Sequence, residues 1–335
     1  MTIAEIARRA GVSKAAVSRY LNSGYISSEK REAIRRVIEE TGYVPSHQAQ
    51  TLRTGKTRMI GVIVPRIDSE SISRVVAGIS QVLEAQGYRL LLANTDNRVE
   101  KELEYLEVFR GGSVDGVILV ATMLSADHRQ ALAALEVPAV LVGQQMDGIS
   151  CVYHDDQGAA RAVTKLLLQH GRRRVGYVGV TTRDRAAGAA RRAGFLEALR
   201  EAGVEPEQTW MERSDFSIDG GFAAAERLFE KTPDLEAVFC ATDSICVGVK
   251  EWLESHGRQI PKDVALAGIG HSRLSELVHP KLATAHYYYQ TSGEEAARAL
   301  VEIVEQGVDR KKQLMLGYEV IPGESADCSA PKAPL

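Results

Sequence analysis

Short polar clusters follow the apolar runs of this chain, and their residue types suit ligand binding. After "MIGVIV" come Arg66, Asp68 and Ser69, and after "YRLLLA" come Asn94 and Asp96. Gln144 follows "PAVLVG", Arg183 and Asp184 follow "RVGYVGV", Asp243 follows "AVFCA", and His271 follows "VALAGI". Arg191 lies on the next helical pattern, and Phe216 and Tyr287 offer rings. Carboxylates that accept in pairs and guanidinium forks that donate in pairs suit vicinal hydroxyls, and an aromatic wall suits the apolar face of a sugar. An excess of arginine suits a phosphate as well. Each residue has a plainer reading too: Asp68 and Asp243 fit helix N-caps, and the arginines fit surface ion pairs. No catalytic set stands out. The eight histidines show no HExxH spacing, there is no GxSxG, and no GxGxxG or Walker sequence follows the first apolar run.

A second set of residues carries a different chemistry. Residues 1–58 hold eleven Lys/Arg against five Glu and no Asp, an excess of +6. The rest holds thirty basic and thirty-nine acidic residues, or −9, within a chain total of −3. A basic head on an acidic body suggests a polyanion as the head's partner; a solvated charged helix surface is the alternative. Ile3, Ile6, Ala7 and Ala10 repeat at helical spacing, Thr2 and Glu5 form a capping-box pattern, and Gly11 stops the helix. "VSKAAVSRYLN" starts a second helix, with Ser13 as cap and Ala16, Val17, Tyr20 and Leu21 buried. "SSEKREAIRRVIEETG" predicts a third, capped by Ser27 or Ser28, burying Ile34, Val37 and Ile38 and closing at Gly42. Short helices joined at a glycine make the helix-turn-helix pattern. Its second helix enters the major groove by its N-terminal end. Lys14, Ala15 and Arg19 then face outward: Arg19 toward guanine, Lys14 toward a base edge or phosphate, Ala15 toward a thymine methyl. Ser13, Ser18 and the backbone near Thr2 are placed for phosphates.

The elements that must position the first set run from Met59 onward, where short apolar runs alternate with helical patterns such as "SRVVAGISQVLEAQG" and "SICVGVKEWLESHG". That alternation predicts βαβ units with parallel sheets covered on both faces. Seven runs over about 265 residues fit two doubly wound lobes, and ligands of such sheets bind beyond the carboxyl ends of the strands. The four cysteines, Cys151, Cys240, Cys246 and Cys328, form no CxxC pair and have no histidine at zinc spacing. No metal or other cofactor is expected. The start "MTIAEIARRAG" has no signal-type apolar region, and no run of about 18 apolar residues occurs, so the expectation is a soluble, cytoplasmic protein with no membrane partner.

Several stretches together resemble the lactose/galactose repressor family (LacI/GalR): "TIAEIARRAGVSKAAVSRYLN", "YVPSHQAQTL" as its YxPxxxAxxL hinge, "RRAGFLEAL" as its RxxGF segment and "CATDSICVG" near its xxNDxxAxG segment. The resemblance spans essentially the whole chain. It implies a homodimeric repressor that binds pseudo-palindromic operator DNA and is controlled by a small effector held in a body resembling periplasmic sugar-binding proteins. The implied organisation is a helix-turn-helix domain at 1–45, a hinge at 46–57, a body at 58–325 and a tail at 326–335. The body divides into an N-lobe (58–157 and 288–315) and a C-lobe (158–287 and 316–325). The family's DNA-reading positions fall on Lys14 and Ala15, and its effector positions on Asp243, Arg191 and Phe216. In the hinge, Leu52 would wedge between base steps in the minor groove while Arg53 and Lys56 hold phosphates. The chain departs from the family where GxDD reads "GIGHS", placing His271 at an acid position, and where TTxxQP reads "ATAHYYY", placing Tyr287 near the glutamine. Within the family, "VPRIDS", "DDQGA" and "GIGHSRLSELVHP" are most similar to trehalose-operon repressors, which respond to a phosphorylated disaccharide; Arg66 would then partner the phosphate. Sucrose or another disaccharide stays open as effector. The rival readings are a cytoplasmic sugar-binding protein and a phosphosugar enzyme on the same body. The end "SADCSAPKAPL" has none of the leucine heptads that make some members tetrameric.

Overall fold

The computed structural model describes residues 1–21, 24–43, 55–307 and 310–327. It divides into two compact units, Met1–Thr57 and Arg58–Leu335. Leu52, Arg53 and the hinge expected around them lie outside the described residues, apart from Gly55, Lys56 and Thr57; so do Cys328 and the end of the chain.

The first unit is built from α1 (Ile3–Arg9), α2 (Lys14–Leu21) and α3 (Ser28–Thr41). Thr2 caps α1 by the expected reciprocal box: Glu5 N–H reaches Thr2 Oγ1 at 3.3 Å and Thr2 N–H reaches Glu5 Oε2 at 2.7 Å. Ser13 Oγ accepts from Ala16 N–H at 3.1 Å, and Ser27, rather than Ser28, caps α3. Gly42 closes α3 at φ 61°, where a side chain would be strained. Ile6, Ala7, Ala16, Val17, Ile26, Ile34 and Val37 form the core.

The second unit holds two six-stranded sheets. The first takes β1 (Met59–Val64), β2 (Arg89–Asn94), β3 (Gly116–Val120), β4 (Ala139–Val142), β5 (Ser150–His154) and β11 (Gln313–Leu316), in the order β2-β1-β3-β4-β5-β11 and parallel throughout. The second takes β6 (Val175–Gly179), β7 (Met211–Arg213), β8 (Ala237–Cys240), β9 (Ala265–Gly270), β10 (Ala283–Tyr287) and β12 (Tyr318–Ile321), in the order β7-β6-β8-β9-β10-β12, with β12 alone antiparallel. In each sheet the strand order reverses between its first and third strands, the switch point where doubly wound folds open a crevice. Seven strands were legible as apolar runs. The other five, β5, β7, β10, β11 and β12, are short or of mixed polarity, and they correct the expected count.

Helices cover both sheets: α4 (Glu70–Ala85), α5 (Val99–Arg110), α6 (Ala126–Ala133) and α12 (Tyr289–Gln306) on the first, and α7 (Asp156–Leu168), α8 (Arg191–Glu201), α9 (Ile218–Lys231) and α10 (Asp243–Ser255) on the second, with short α11 (Arg273–Leu277) at its edge. The chain passes between the lobes three times: from β5 into α7, from β10 into α12, and from β11 into β12. Ala326, which the sequence puts in the tail, is buried in the core of the second lobe. Among the described residues no helix is long and apolar enough to cross a membrane.

Candidate functional site

A cavity of about 400 Å³ opens where the strand ends of both lobes meet, within the size range of small-molecule pockets. From the first lobe it takes Arg66, Asp68 and Ser69 beyond β1, Glu70 and Arg74 on the first turns of α4, and Thr122 beyond β3. From the second lobe come Phe216, Thr242 to Ser244 beyond β8, and Gly270 and Ser272 beyond β9; Tyr289, at the start of α12, completes it. Switch-point geometry therefore gathers side chains far apart in sequence.

Five expected residues line this cavity: Arg66, Asp68, Ser69, Phe216 and Asp243. Neither acid is an N-cap. Ser69 stands at the N-cap of α4, and Thr242 caps α10 through its own side chain. Asp68 instead holds Arg66, with Nε donating to Oδ1 at 3.0 Å and Nη2 to Oδ2 at 2.7 Å. Asp243 accepts from Thr284 Oγ1 at 2.6 Å and from Ser272 N–H at 2.7 Å. Its burial pushes its pKa up, opposed by those hydrogen bonds.

The other eight expected residues sit elsewhere; among them Asn94 accepts from Ile67 N–H at 3.1 Å and donates to Asp96 Oδ1 at 2.7 Å. Arg191 is buried behind the cavity, where its Nε meets Asp156 Oδ1 at 2.7 Å and its Nη1 meets the Ala241 carbonyl at 2.5 Å. Tyr287 is no exposed wall. It is 1% exposed, donates to Asp156 Oδ1 at 3.0 Å and stacks on His154 with ring centroids 4.5 Å apart. Gln144 is buried and donates to Asp184 Oδ1 at 2.8 Å, while Arg183 is exposed. His271 lies beside the cavity at φ 48°, a left-handed backbone that is uncommon without glycine. Its Nδ1 is 3.1 Å from His286 Nδ1 and its Nε2 is 3.3 Å from Glu276.

Glu70, Arg74, Thr122 and Tyr289 escaped the sequence reading. Glu70 and Arg74 occupy the first helical turns after the β1 cluster, so extending the strand-end search by one turn would have found them. They also join the lobes. Both Glu70 carboxylate oxygens accept from Arg273 N–H, at 3.0 and 3.1 Å, and Arg74 Nη1 donates to the His271 carbonyl at 3.2 Å. With Gln144–Asp184, these bonds form a latch beside the cavity. Tyr289 was hidden because β10 was not recognised as a strand.

On the first unit Lys14, Ala15 and Arg19 are exposed, while Ser13 is taken up in capping and Ser18 is half-buried. Tyr25, which the sequence reading passed over, is 91% exposed.

Comparison with known proteins agrees with both units. Residues 2–46 match the family described as bacterial regulatory proteins, lacI family, and residues 57–318 match periplasmic binding proteins and the sugar binding domain of the LacI family. The sucrose operon repressor of Staphylococcus xylosus is 31% identical over 91% of this chain and 94% of its own length. The regulator CelR of Thermobifida fusca is 32% identical over 97% and 98%. A solved CelR–cellobiose complex superposes with a TM-score of 0.75 at 29% identity, covering 97% of this chain and 99% of that one. The match of head and body together, over nearly the whole of both relatives, shows that the chain belongs to the LacI family and is a transcriptional regulator rather than an enzyme.

Proposed function

We propose that this regulator is a homodimeric repressor of a carbohydrate-utilisation operon, released from or recruited to pseudo-palindromic DNA by a sugar of disaccharide class bound in the interlobe cavity. The observation that carries the reading is the lining of that cavity: three carboxylates, two guanidiniums, a row of hydroxyls and two aromatic rings converge on a space of about 400 Å³. That donor and acceptor set suits a polyol with an apolar ring face. Support comes from the relatives, one named for a sucrose operon and one solved with cellobiose. In the head, Lys14, Ala15 and Arg19 read bases, while Ser13, Ser18 and the Thr2 backbone set register on phosphates; exposed Tyr25 adds a hydroxyl for the backbone. Leu52 is assigned to the minor groove, and Arg53 and Lys56 to phosphates, on the hinge motif alone.

Sugar contacts bear on the latch directly, because Glu70, Arg74 and Asp243 belong to the cavity and also fix the 271–273 loop. A ligand changes operator affinity only if it binds one lobe arrangement better than the other. The test has two arms. A duplex selected from a random pool should bind the dimer, and Lys14→Ala or Arg19→Ala should weaken it by roughly tenfold to a hundredfold in fluorescence anisotropy. A thermal-shift panel of disaccharides should raise the unfolding temperature by several degrees for a saturating hit, an effect that Asp243→Asn abolishes. No selected duplex, or a stabilising sugar indifferent to Asp243, would refute the corresponding half of the reading.

A further inference from the structure

We infer that the cavity admits neutral sugars and turns away phosphorylated ones, with Asp68 and Glu70 as the residues that set the preference; this rests on the reading of the cavity as the effector site. Two guanidiniums face the space, and both are already answered by carboxylates. Arg66 gives Nε and Nη2 to the two oxygens of Asp68, at 3.0 and 2.7 Å. That is the paired fork by which arginine grips a phosphate. Arg74 pairs with Glu70 at 2.5 Å and gives Nη1 to the His271 carbonyl at 3.2 Å. Asp215, on the loop that carries Phe216, adds a third acid near Arg66, since each holds the other further toward its charged form.

Charge counting then decides between the ligand classes. The lining holds Arg66 and Arg74 against Asp68, Glu70 and Asp243, a formal −1. Protonating Asp243, as its burial favours, brings the lining only to zero. A phosphate monoester brings about −1.5 to −2 at neutral pH, and neither state of the lining supplies positive charge to meet it. To reach Arg66 a phosphate would have to displace Asp68 from the same two donors, leaving two anions side by side at the mouth. A neutral polyol meets no such conflict: its hydroxyls donate to the carboxylates, which can keep their arginines. Asp68 is 66% exposed at the side chain and caps no helix, so removing its charge leaves the core untouched.

The test is isothermal titration of the full chain with sucrose, trehalose and cellobiose and with the 6-phosphate of each, using wild type, Asp68→Asn, and Asp68→Asn with Glu70→Gln. Wild type should favour the neutral form of its preferred sugar by about tenfold or more, Asp68→Asn should close that gap by about tenfold, and the double variant should reverse it. Raising salt should strengthen wild-type binding of the phosphorylated form by screening the repulsion, weaken it on the double variant, and leave the neutral form unchanged. A wild type that binds a phosphorylated sugar more tightly than its neutral counterpart overturns the inference. So does a variant whose preference equals that of wild type while its unfolding temperature shows it folded. Failure of every sugar, in both forms and on all three proteins, overturns the assignment of the cavity, and the inference falls with it.

Discussion

His154 shows how a single buried side chain imposes a pH dependence. It ends β5 at the first passage between lobes, 8% exposed, stacked on Tyr287, and its Nε2 has no hydrogen-bond partner among the described residues. Burial pushes its pKa from the ordinary 6.5 down to about 4; the Asp156 carboxylate pulls the other way, while Arg191 and His286 add to the depression. The unfolded chain therefore takes up a proton below about pH 6.5 that the folded chain refuses until about pH 4, so stability falls as pH drops through that window. The loss attributable to this residue reaches about 3 kcal/mol at its lower end. His154→Phe, which keeps the stack, should flatten the fall in unfolding temperature between pH 6.5 and 4, measured by calorimetry against wild type. An unchanged slope would clear His154 of the effect. At this scale the outward residues of the head were legible, because helical periodicity separates Lys14, Ala15 and Arg19 from Ala16 and Val17. The fate of Arg191 was not: its partner Asp156 lies thirty-five positions away, and no local pattern couples them.

At the scale of elements, the first lobe depends on how closely α4 and α12 cross. A Cβ on Gly78 would lie 2.1 Å from the Gln290 carbonyl oxygen, and one on Gly293 would lie 2.0 Å from that of Val75. Each glycine thus admits the backbone of the opposite helix, and neither obstacle is a side chain that can swing away. Gly293→Ala should force the helices apart and cost about 1 to 3 kcal/mol, read as an unfolding temperature lower by several degrees. Thr291→Ala, at an exposed position of the same helix, should stay within about 0.5 kcal/mol. Equal effects would mean that the close crossing contributes nothing. The long apolar runs were legible as strands because parallel sheets buried on both faces need continuous hydrophobic sequence. "SCVYH" and "QLML" were not, since β5 and β11 lie toward one edge of the sheet and mix polar with apolar positions. Missing β10 also hid the origin of α12 and of Tyr289.

For the molecule as a whole, the proposed function makes the latch the element through which sugar binding would act on DNA binding. Gln144 and Asp184 come from different lobes, both are buried, and Gln144 stands outside the cavity, so it can be changed without touching a bound sugar. Asp184 also accepts from Ala186 N–H and Ala187 N–H, which ties the latch to the turn leading into α8. Gln144→Ala should cost about 1 to 3 kcal/mol by removing a donor from a buried carboxylate and should change the ratio of operator affinities with and without sugar several-fold. Linkage demands that sugar affinity with and without operator change by the same factor. Titrating both ways checks this, and an unaltered ratio would place the bond outside the coupling.

The three passages between lobes also govern how such a protein can change hands between genes. Each lobe is assembled from separate stretches of chain, since β11 returns to the first sheet and β12 to the second after most of both are complete. A single recombination break inside the body therefore takes strands from two sheets at once, and no contiguous half can be traded for a relative's. The boundary at Thr57 and Arg58 carries no such penalty. Head and body can each be inherited whole in one exchange there, whereas a change of ligand preference within one body has to be reached by substitutions inside the cavity.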